Sequence, residues 1–237
     1  MKPRHRPKHE ERDRMTALTR RFVLAGSALA SAAVAVAAVP RANAGTGADT
    51  LYFKLHAWFF SHEMHLASPV DPQVFVVDPR SAAGVGPQGI RHLAGFRPAL
   101  MFGPHDIGVY NAHGRPLGFT LAEWFAAHGT VRITRAGTGA RVVCQFHRLR
   151  PNGVYSLFEN HFDRTPVGFT PLDGAGTHNS FVASANGDAS IAVQTPAPVT
   201  HANAVLLVYH SDNKTHGMSR GEIGVTAHHQ LIARPPA

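Results

Sequence analysis

The chain lacks several features that define common functional classes. It has one cysteine, Cys144, among 237 residues, so an intrachain disulfide is excluded and the fold must rely on its hydrophobic core. It has no Gly-x-Ser-x-Gly motif, no phosphate-binding glycine-rich loop and no dinucleotide fingerprint, so we expect no nucleotide cofactor. Its longest apolar run, 22–39, is diluted by alanine, glycine and serine, whereas a membrane-spanning helix needs about 20 strongly apolar residues. We therefore expect no permanent membrane anchor.

The N-terminal segment contains paired arginines followed by the weakly apolar run and a small-x-small triplet. These are Thr19-Arg20-Arg21-Phe22-Val23-Leu24 and Ala42-Asn43-Ala44. Together they resemble a twin-arginine export signal. The resemblance implies that the twin-arginine export machinery and a signal peptidase act on residues 1–44. It predicts a mature chain that begins at Gly45 and works, already folded, in the periplasm or outside the cell.

The excess positive charge is concentrated in this leader. The whole chain carries 23 Lys and Arg against 15 Asp and Glu, a net charge of +8. Residues 1–44 contain nine of the basic residues and three of the acidic ones, which leaves residues 45–237 with 14 basic and 12 acidic residues. Proteins that bind nucleic acid usually present a strong basic surface. A net charge of +2 outside the leader therefore predicts no nucleic acid partner.

Residues 45–237 are predicted to form a single domain that is mainly β. Short segments of β-type pattern are separated by turn sequences rich in glycine, proline and asparagine, with no linker or repeat between them. This organisation is typical of an antiparallel β-sandwich of the Greek-key or immunoglobulin-like kind with one short helix.

Several elements can be placed from local pattern. Alternation of apolar and polar residues over Leu51 to Phe60 predicts the first strand. Thr120 and Glu123 form a capping box, which predicts the one short helix. Hairpins are predicted at 130–146 and, around an Asn-Gly turn, at 180–193.

Histidine is unusually frequent in the predicted domain, which contains 15 of the 17 histidines but only two lysines. The densest group follows 204–209, a segment that is apolar on both faces and is predicted to be a central strand. His210, Asp212 and His216 lie within seven residues, so gathering them around one ion costs little loop entropy. Imidazole and carboxylate ligands suit zinc or copper. We predict a copper or zinc site here, and the alternative is a simple turn at the end of a strand.

Three further residues are candidate partners for this site. Glu159 and His161 are two positions apart, so they point the same way if the chain is extended, and His228 lies in the last predicted strand. A solvated polar edge is the alternative for 159–161. His229, on the other face of the last strand, is expected to be buried with a definite hydrogen-bond partner.

The second half of the chain contains four recognisable segments. They are the Leu-x-Pro-x-Gly-x-Tyr turn at 149–155, the hairpin at 181–189, the apolar strand ending in histidine at 205–210, and the Gly/Glu-containing segment at 220–224. Over about residues 140–232, they resemble the copper–zinc superoxide dismutase-like sandwich and the related CHRD domains. The resemblance implies a sandwich fold with His161 and His210 as copper ligands. The His-x-His pair and the disulfide of that family have no counterpart in this chain.

Three functions are consistent with these observations. The first is an exported protein that binds or carries copper or zinc through the histidine and aspartate cluster. The second is an adhesion or ligand-binding module without a metal, which predicts dispersed histidines and an exposed aromatic patch that includes Trp58 and Trp124. The third is a metal-dependent oxidoreductase of the superoxide dismutase-like type, which needs a cleft with an open coordination position.

Overall fold

A computed structural model describes residues 49–237, so the predicted leader lies outside the described residues. The described residues fall within one compact unit. They form two helices and sixteen strands. In chain order these are β1 (Asp49–Tyr52), β2 (Lys54–Leu55), α1 (His56–Glu63), β3 (Val70–Val77), β4 (Gly84–Val85), β5 (Arg91–His92), β6 (Phe96–Leu100), β7 (Gly108–Tyr110), β8 (Pro116–Thr120), α2 (Leu121–Ala126), β9 (His128–Ala136), β10 (Gly139–His147), β11 (Val154–His161), β12 (Gly168–Pro171), β13 (Ser180–Val182), β14 (Ala189–Thr195), β15 (Asn203–His210) and β16 (Ala227–Ala233). Neither helix within residues 49–237 has the length and apolarity to cross a bilayer.

Three sheets with antiparallel pairing carry the fold. Sheet 1 has the strand order β1-β9-β10-β14, and sheet 2 has the order β12-β11-β15-β16-β2 with β13 also paired to β11. Sheet 3 has the order β6-β3-β7-β8, and β4 and β5 form a separate small ribbon. The predicted fold class, a mainly β antiparallel sandwich, is confirmed.

The central strands of sheet 2 are buried on both faces. One face meets sheets 1 and 3 in a large inner core that includes Val142, Phe146, Tyr155 and Leu207. The other face carries a smaller outer core, built on Phe158, Leu206, Val208 and Ile232, among others, and covered in part by Phe59 of α1. Every residue of β15 and β16 is consequently buried, which confirms the predicted central strand at 204–209.

The N-terminal part of the fold differs from the sequence prediction. A single strand over Leu51 to Phe60 is wrong, because the strand pattern ends at Leu55 and α1 follows at once. The buried residues of α1 are His56, Ala57 and Ser61, which lie on one side of a helix at spacings of four and five. A segment this short fits both the strand period of two residues and the helix period of 3.6. Packing against the outer face of sheet 2 selects the helix.

Local turn chemistry predicted one hairpin correctly and misplaced another. The 130–146 hairpin is confirmed, since β9 and β10 pair continuously. The capping box of α2 is also confirmed, with Thr120 and Glu123 bonded in both directions. The 180–193 hairpin is wrong, because β13 pairs with β11 while β14 pairs with β10. The turn at Gly187 does form, but it takes the chain from sheet 2 to sheet 1.

A buried carboxylate ties sheet 3 to α2. Asp71 is 1% exposed, and its Oδ1 accepts the backbone N–H groups of Gln73 and Val74 at 2.9 and 3.1 Å. Its Oδ2 accepts the indole N–H of Trp124 at 2.7 Å. Burial raises the pKa of Asp71 to about 6, against the opposing effect of these three hydrogen bonds. At pH 7.5 the group is therefore an ionised acceptor for three donors.

Replacing this acceptor should weaken the link between sheet 3 and α2. In Asp71→Asn, an amide N–H₂ can face the indole N–H, so we expect a loss of about 1–3 kcal/mol in the free energy of unfolding. Trp124→Phe should also destabilise, and the double variant should lose less than the sum of the two. Urea unfolding at pH 7.5 measures this cycle. Arg97→Gln is the control, because it breaks a partly exposed ion pair with Asp78 and should cost less than about 1 kcal/mol. Strict additivity of the two losses would contradict a direct Asp71–Trp124 link.

Candidate metal centre

The predicted trio comes together where β15 ends. His210 is the last residue of β15 and is fully buried, while Asp212 and His216 are half-buried in the loop that follows. One ring nitrogen or carboxylate oxygen from each of the three lies within 4.8 Å of the other two. The rings of His210 and His216 have centroids 5.2 Å apart. The chain also turns here, since Asn213 N–H donates to the His210 carbonyl, so the turn is what gathers the ligands.

A chain of hydrogen bonds sets the tautomer of His210. The Asn179 side-chain N–H₂ donates to the Leu157 carbonyl, so its Oδ1 is free to accept the Ser180 hydroxyl at 3.2 Å. A serine hydroxyl has one proton, so Ser180 accepts from Ser156 at 2.9 Å. Ser156 in turn accepts from His210 Nε2 at 2.8 Å. His210 therefore carries its proton on Nε2, and its Nδ1 holds a free lone pair.

Two buried nitrogens of the cluster have no hydrogen-bond partner. They are Nδ1 of His210 and Nε2 of His216. The second lies 3.1 Å from Oδ2 of Asp212 without forming a hydrogen bond to it. Buried polar atoms are nearly always partnered, so two open nitrogens beside one carboxylate are unusual. This is the donor set that a transition metal ion would satisfy.

Two close backbone approaches hold the ligand loop, residues 211–226 between β15 and β16, in place. Gly221 has φ +86°, and a Cβ there would lie 3.1 Å from the His216 ring. Gly176 has φ +70°, and a Cβ there would overlap the carbonyl of Gly217. The loop at 173–178 is itself ordered by the Asp173 carboxylate, which accepts four backbone N–H groups. The position of His216 thus depends on glycine at two neighbouring contacts.

His228 supports the centre but does not have a free ring nitrogen. Its Nδ1 donates to the Gln73 carbonyl at 3.0 Å, and its Nε2 lies 3.2 Å from the Ser211 hydroxyl. The ring packs against Trp124 and Tyr209 on the inner face of sheet 2. His228 therefore contacts the loop from the inner-core side through Ser211. Ser211 lies between His210 and Asp212 in the chain.

Glu159 and His161 form a separate polar group. In the β11–β15 register, Val154 faces His210 and His161 faces Asn203. His161 is thus seven positions along the strand from the metal centre, or roughly 23 Å at the usual rise per residue. Glu159 accepts from the Asn203 side chain, and His161 Nε2 lies 2.8 Å from the Thr170 hydroxyl. The structure does not bring these two residues to His210, and it separates the two histidines that the dismutase resemblance pairs.

Sequence reasoning identified only one member, His229, of a second histidine pair, which joins it to His56. His229 has the definite partners expected of it: Arg220 donates to its Nε2 at 3.0 Å, and its Nδ1 then donates to Nε2 of His56 at 3.3 Å. The guanidinium of Arg220 also stacks on the ring of Phe169. His56 escaped prediction because the segment around it reads as a strand, in which it would lie on the polar face.

The two tryptophans of the predicted aromatic patch occupy different environments. Trp58 is 45% exposed and meets Phe102 edge to face, whereas Trp124 is 2% exposed in the inner core. An exposed patch can therefore include Trp58 but not Trp124.

Comparison with known proteins gives no relative for this chain. No family model matches it, and neither the curated proteins nor the solved structures yield a match. The case for a function therefore rests on the geometry of the described residues.

Acid should destabilise this protein steeply. Burial lowers the pKa of His56 to about 3 and of His228 to about 4, and it holds that of His229 well below its ordinary value, with neighbouring His56 and Arg220 adding to the effect. An unfolded chain binds these protons near pH 6.5 and the folded chain does not, so stability falls as pH drops below 6.5. Each such histidine contributes a slope of about 1.4 kcal/mol per pH unit. Asp71 acts oppositely, because its raised pKa makes the folded state bind a proton first between about pH 4 and 6.

The slope can be measured by urea unfolding of metal-free protein at pH values from 4.5 to 7.5. His56→Gln should flatten the dependence by about one proton. Ile191→Val in β14 should lower stability by about 0.5–1.5 kcal/mol at every pH and leave the slope unchanged. An unaltered slope in His56→Gln would show that this ring is protonated in the folded state.

Proposed function

We propose that this protein is an exported β-sandwich protein that binds one copper or zinc ion through His210, Asp212 and His216. The observation that carries the proposal is the pair of buried, unpartnered imidazole nitrogens beside the Asp212 carboxylate. The hydrogen-bond chain through Ser156 supports it, because a metal-bound histidine usually donates its second ring N–H to a fixed acceptor.

The chemistry of the donor set fits a borderline-soft divalent ion. Two imidazoles and one carboxylate match the ligands that zinc and copper take in proteins. Three protein ligands also leave a coordination position open, through which an ion can be passed on or a small molecule can bind. A copper site of the dismutase type would need His161 together with His210, and these lie at opposite ends of the β11–β15 pair. We therefore favour binding or carrying of the ion over oxidoreductase turnover.

Titration of metal-free protein with Zn²⁺ or Cu²⁺ tests the site. We expect one ion per chain and a higher Tm in its presence, because the ion binds only the folded form. His210→Ala and His216→Ala should each weaken binding by more than the roughly 10–100-fold that loss of an outer partner costs. His161→Ala is the matched control and should bind like the wild type.

Ser156 should act as a positioning residue. In Ser156→Ala the His210 tautomer is no longer fixed, so affinity should fall about 10–100-fold, and Ser156→Thr, which keeps the hydroxyl, should restore it. Isothermal titration calorimetry at constant pH measures the metal affinity of both variants. The site is disproved if folded His210→Ala binds the ion as tightly as the wild type.

The proposed export depends on the paired arginines of the leader. When residues 1–237 are expressed in cells that carry twin-arginine export machinery, the cleaved protein should appear outside the cytoplasm with Gly45 as its first residue. Replacing Arg20 and Arg21 together by lysine should retain the uncleaved chain in the cytoplasm, whereas replacing Arg12 and Arg14 should not. Cell fractionation and N-terminal sequencing report the outcome, and export of the Arg20/Arg21 variant at the normal level would contradict this route.

A further inference from the structure

A cavity lies on the inner-core side of sheet 2, apart from the candidate metal centre. It is a cleft, partly open to solvent, with a volume of about 610 Å³, where the 148–151 connection, the junction of β8 with α2, and β16 meet. Small-molecule sites in proteins typically measure about 300–1,000 Å³. The wall is apolar at Phe119, Trp124 and Leu149 and polar at a few defined positions. The volume and the mixed lining are those of a site for one small organic molecule.

A fixed cation faces this cavity. The Arg150 side chain donates through Nη1 to the Tyr209 hydroxyl at 2.9 Å, and its guanidinium lies 5.3 Å from the centre of the Phe119 ring. Gly118 has φ +80°, and a Cβ there would come within 3.1 Å of Nη2 of Arg150, so glycine leaves room for the guanidinium. Within residues 49–237, no carboxylate oxygen lies within 4.0 Å of Arg150 or of Arg148 at the rim. The site therefore offers held N–H donors and positive charge without an acidic partner.

An acceptor without a partner lines the same cavity. Gln230 is 3% exposed, and its Nε2 donates to the Trp124 carbonyl at 3.0 Å, which fixes the orientation of the amide. The remaining oxygen, Oε1, has no hydrogen-bond partner. A buried acceptor left open costs about 1–3 kcal/mol. A ligand N–H or O–H group would recover this free energy.

We propose that this cavity binds a small organic acid that has one carboxylate and a hydrogen-bond donor. The carboxylate pairs with the Arg150 guanidinium, which suits planar, two-pronged recognition. The donor binds Oε1 of Gln230, and the hydrocarbon part packs against Phe119. Glu123 at the rim already accepts from Thr120, and its negative charge disfavours dianions such as phosphate more strongly than a monocarboxylate.

Binding can be tested with the three hydroxybenzoate isomers, benzoate and the corresponding benzamides as probes. In calorimetric or ligand-observed NMR titrations of the wild type, at least one hydroxybenzoate should bind more tightly than benzoate, because only it can donate to Gln230. The amides should bind about tenfold more weakly or worse, since they lack the charge.

Variants separate the two recognition elements. Arg150→Gln should weaken both acids by about tenfold or more, and Gly118→Ala should do so by displacing the guanidinium without removing it. Gln230→Met should remove only the advantage of hydroxybenzoate over benzoate. Arg141→Gln, an exposed arginine of β10, is the matched control, and thermal unfolding verifies that each variant is folded.

The two sites are independent in this experiment. His210→Ala should leave acid binding unchanged, so failure of the metal site and failure of this site are distinguishable. The inference is overturned if no acid binds the folded wild type up to about 10 mM, or if folded Arg150→Gln and Gly118→Ala bind the acids as the wild type does.

Discussion

The two central strands of sheet 2 have no face in contact with water, and the other features of the structure follow from that constraint. Every polar atom on β15 and β16 must find a partner inside the protein. The consecutive polar residues at 228–230 do so by reaching four different parts of the chain: Gln73 on β3, His56 on α1, Trp124 on α2 and Arg220 in the ligand loop. Three residues of β16 thereby connect sheet 2 to sheet 3, to both helices and to the ligand loop. The same burial keeps these histidines neutral.

The exceptions to this rule are informative because they are few. In residues 49–237, five buried side-chain polar atoms have no hydrogen-bond partner. Three of them belong to His210, His216 and Gln230, at the candidate metal centre and in the inner cavity. An orphaned buried atom lowers stability unless a ligand satisfies it. At two of these places, on opposite faces of sheet 2, the unpartnered atoms lie beside other groups that could bind the same species.

The parts of this structure that sequence could predict are those determined by neighbours in the chain. The 130–146 hairpin, the α2 capping box and the gathering of His210 with Asp212 and His216 all depend on residues a few positions apart. The 180–193 hairpin failed because an Asn-Gly turn specifies a reversal but not which strand each arm will join. The strand predicted over Leu51 to Phe60 failed because a half-buried helix shows a similar pattern in so short a segment. His161 and His228 were separated from the site by register and by strand face, which are set by long-range pairing.

The chain of hydroxyl groups behind His210 extends the candidate metal centre beyond the three residues that would bind the ion. The imidazole does not touch Asn179, yet that amide, three hydrogen bonds away, decides which ring nitrogen is open. The amide is in turn held by the backbone of β11 through the Leu157 carbonyl. Which ring nitrogen of His210 has a free lone pair thus depends on Asn179, in the loop that precedes β13. A change confined to that loop would therefore alter the hydrogen bonding of His210 while leaving His210, Asp212 and His216 all in the sequence.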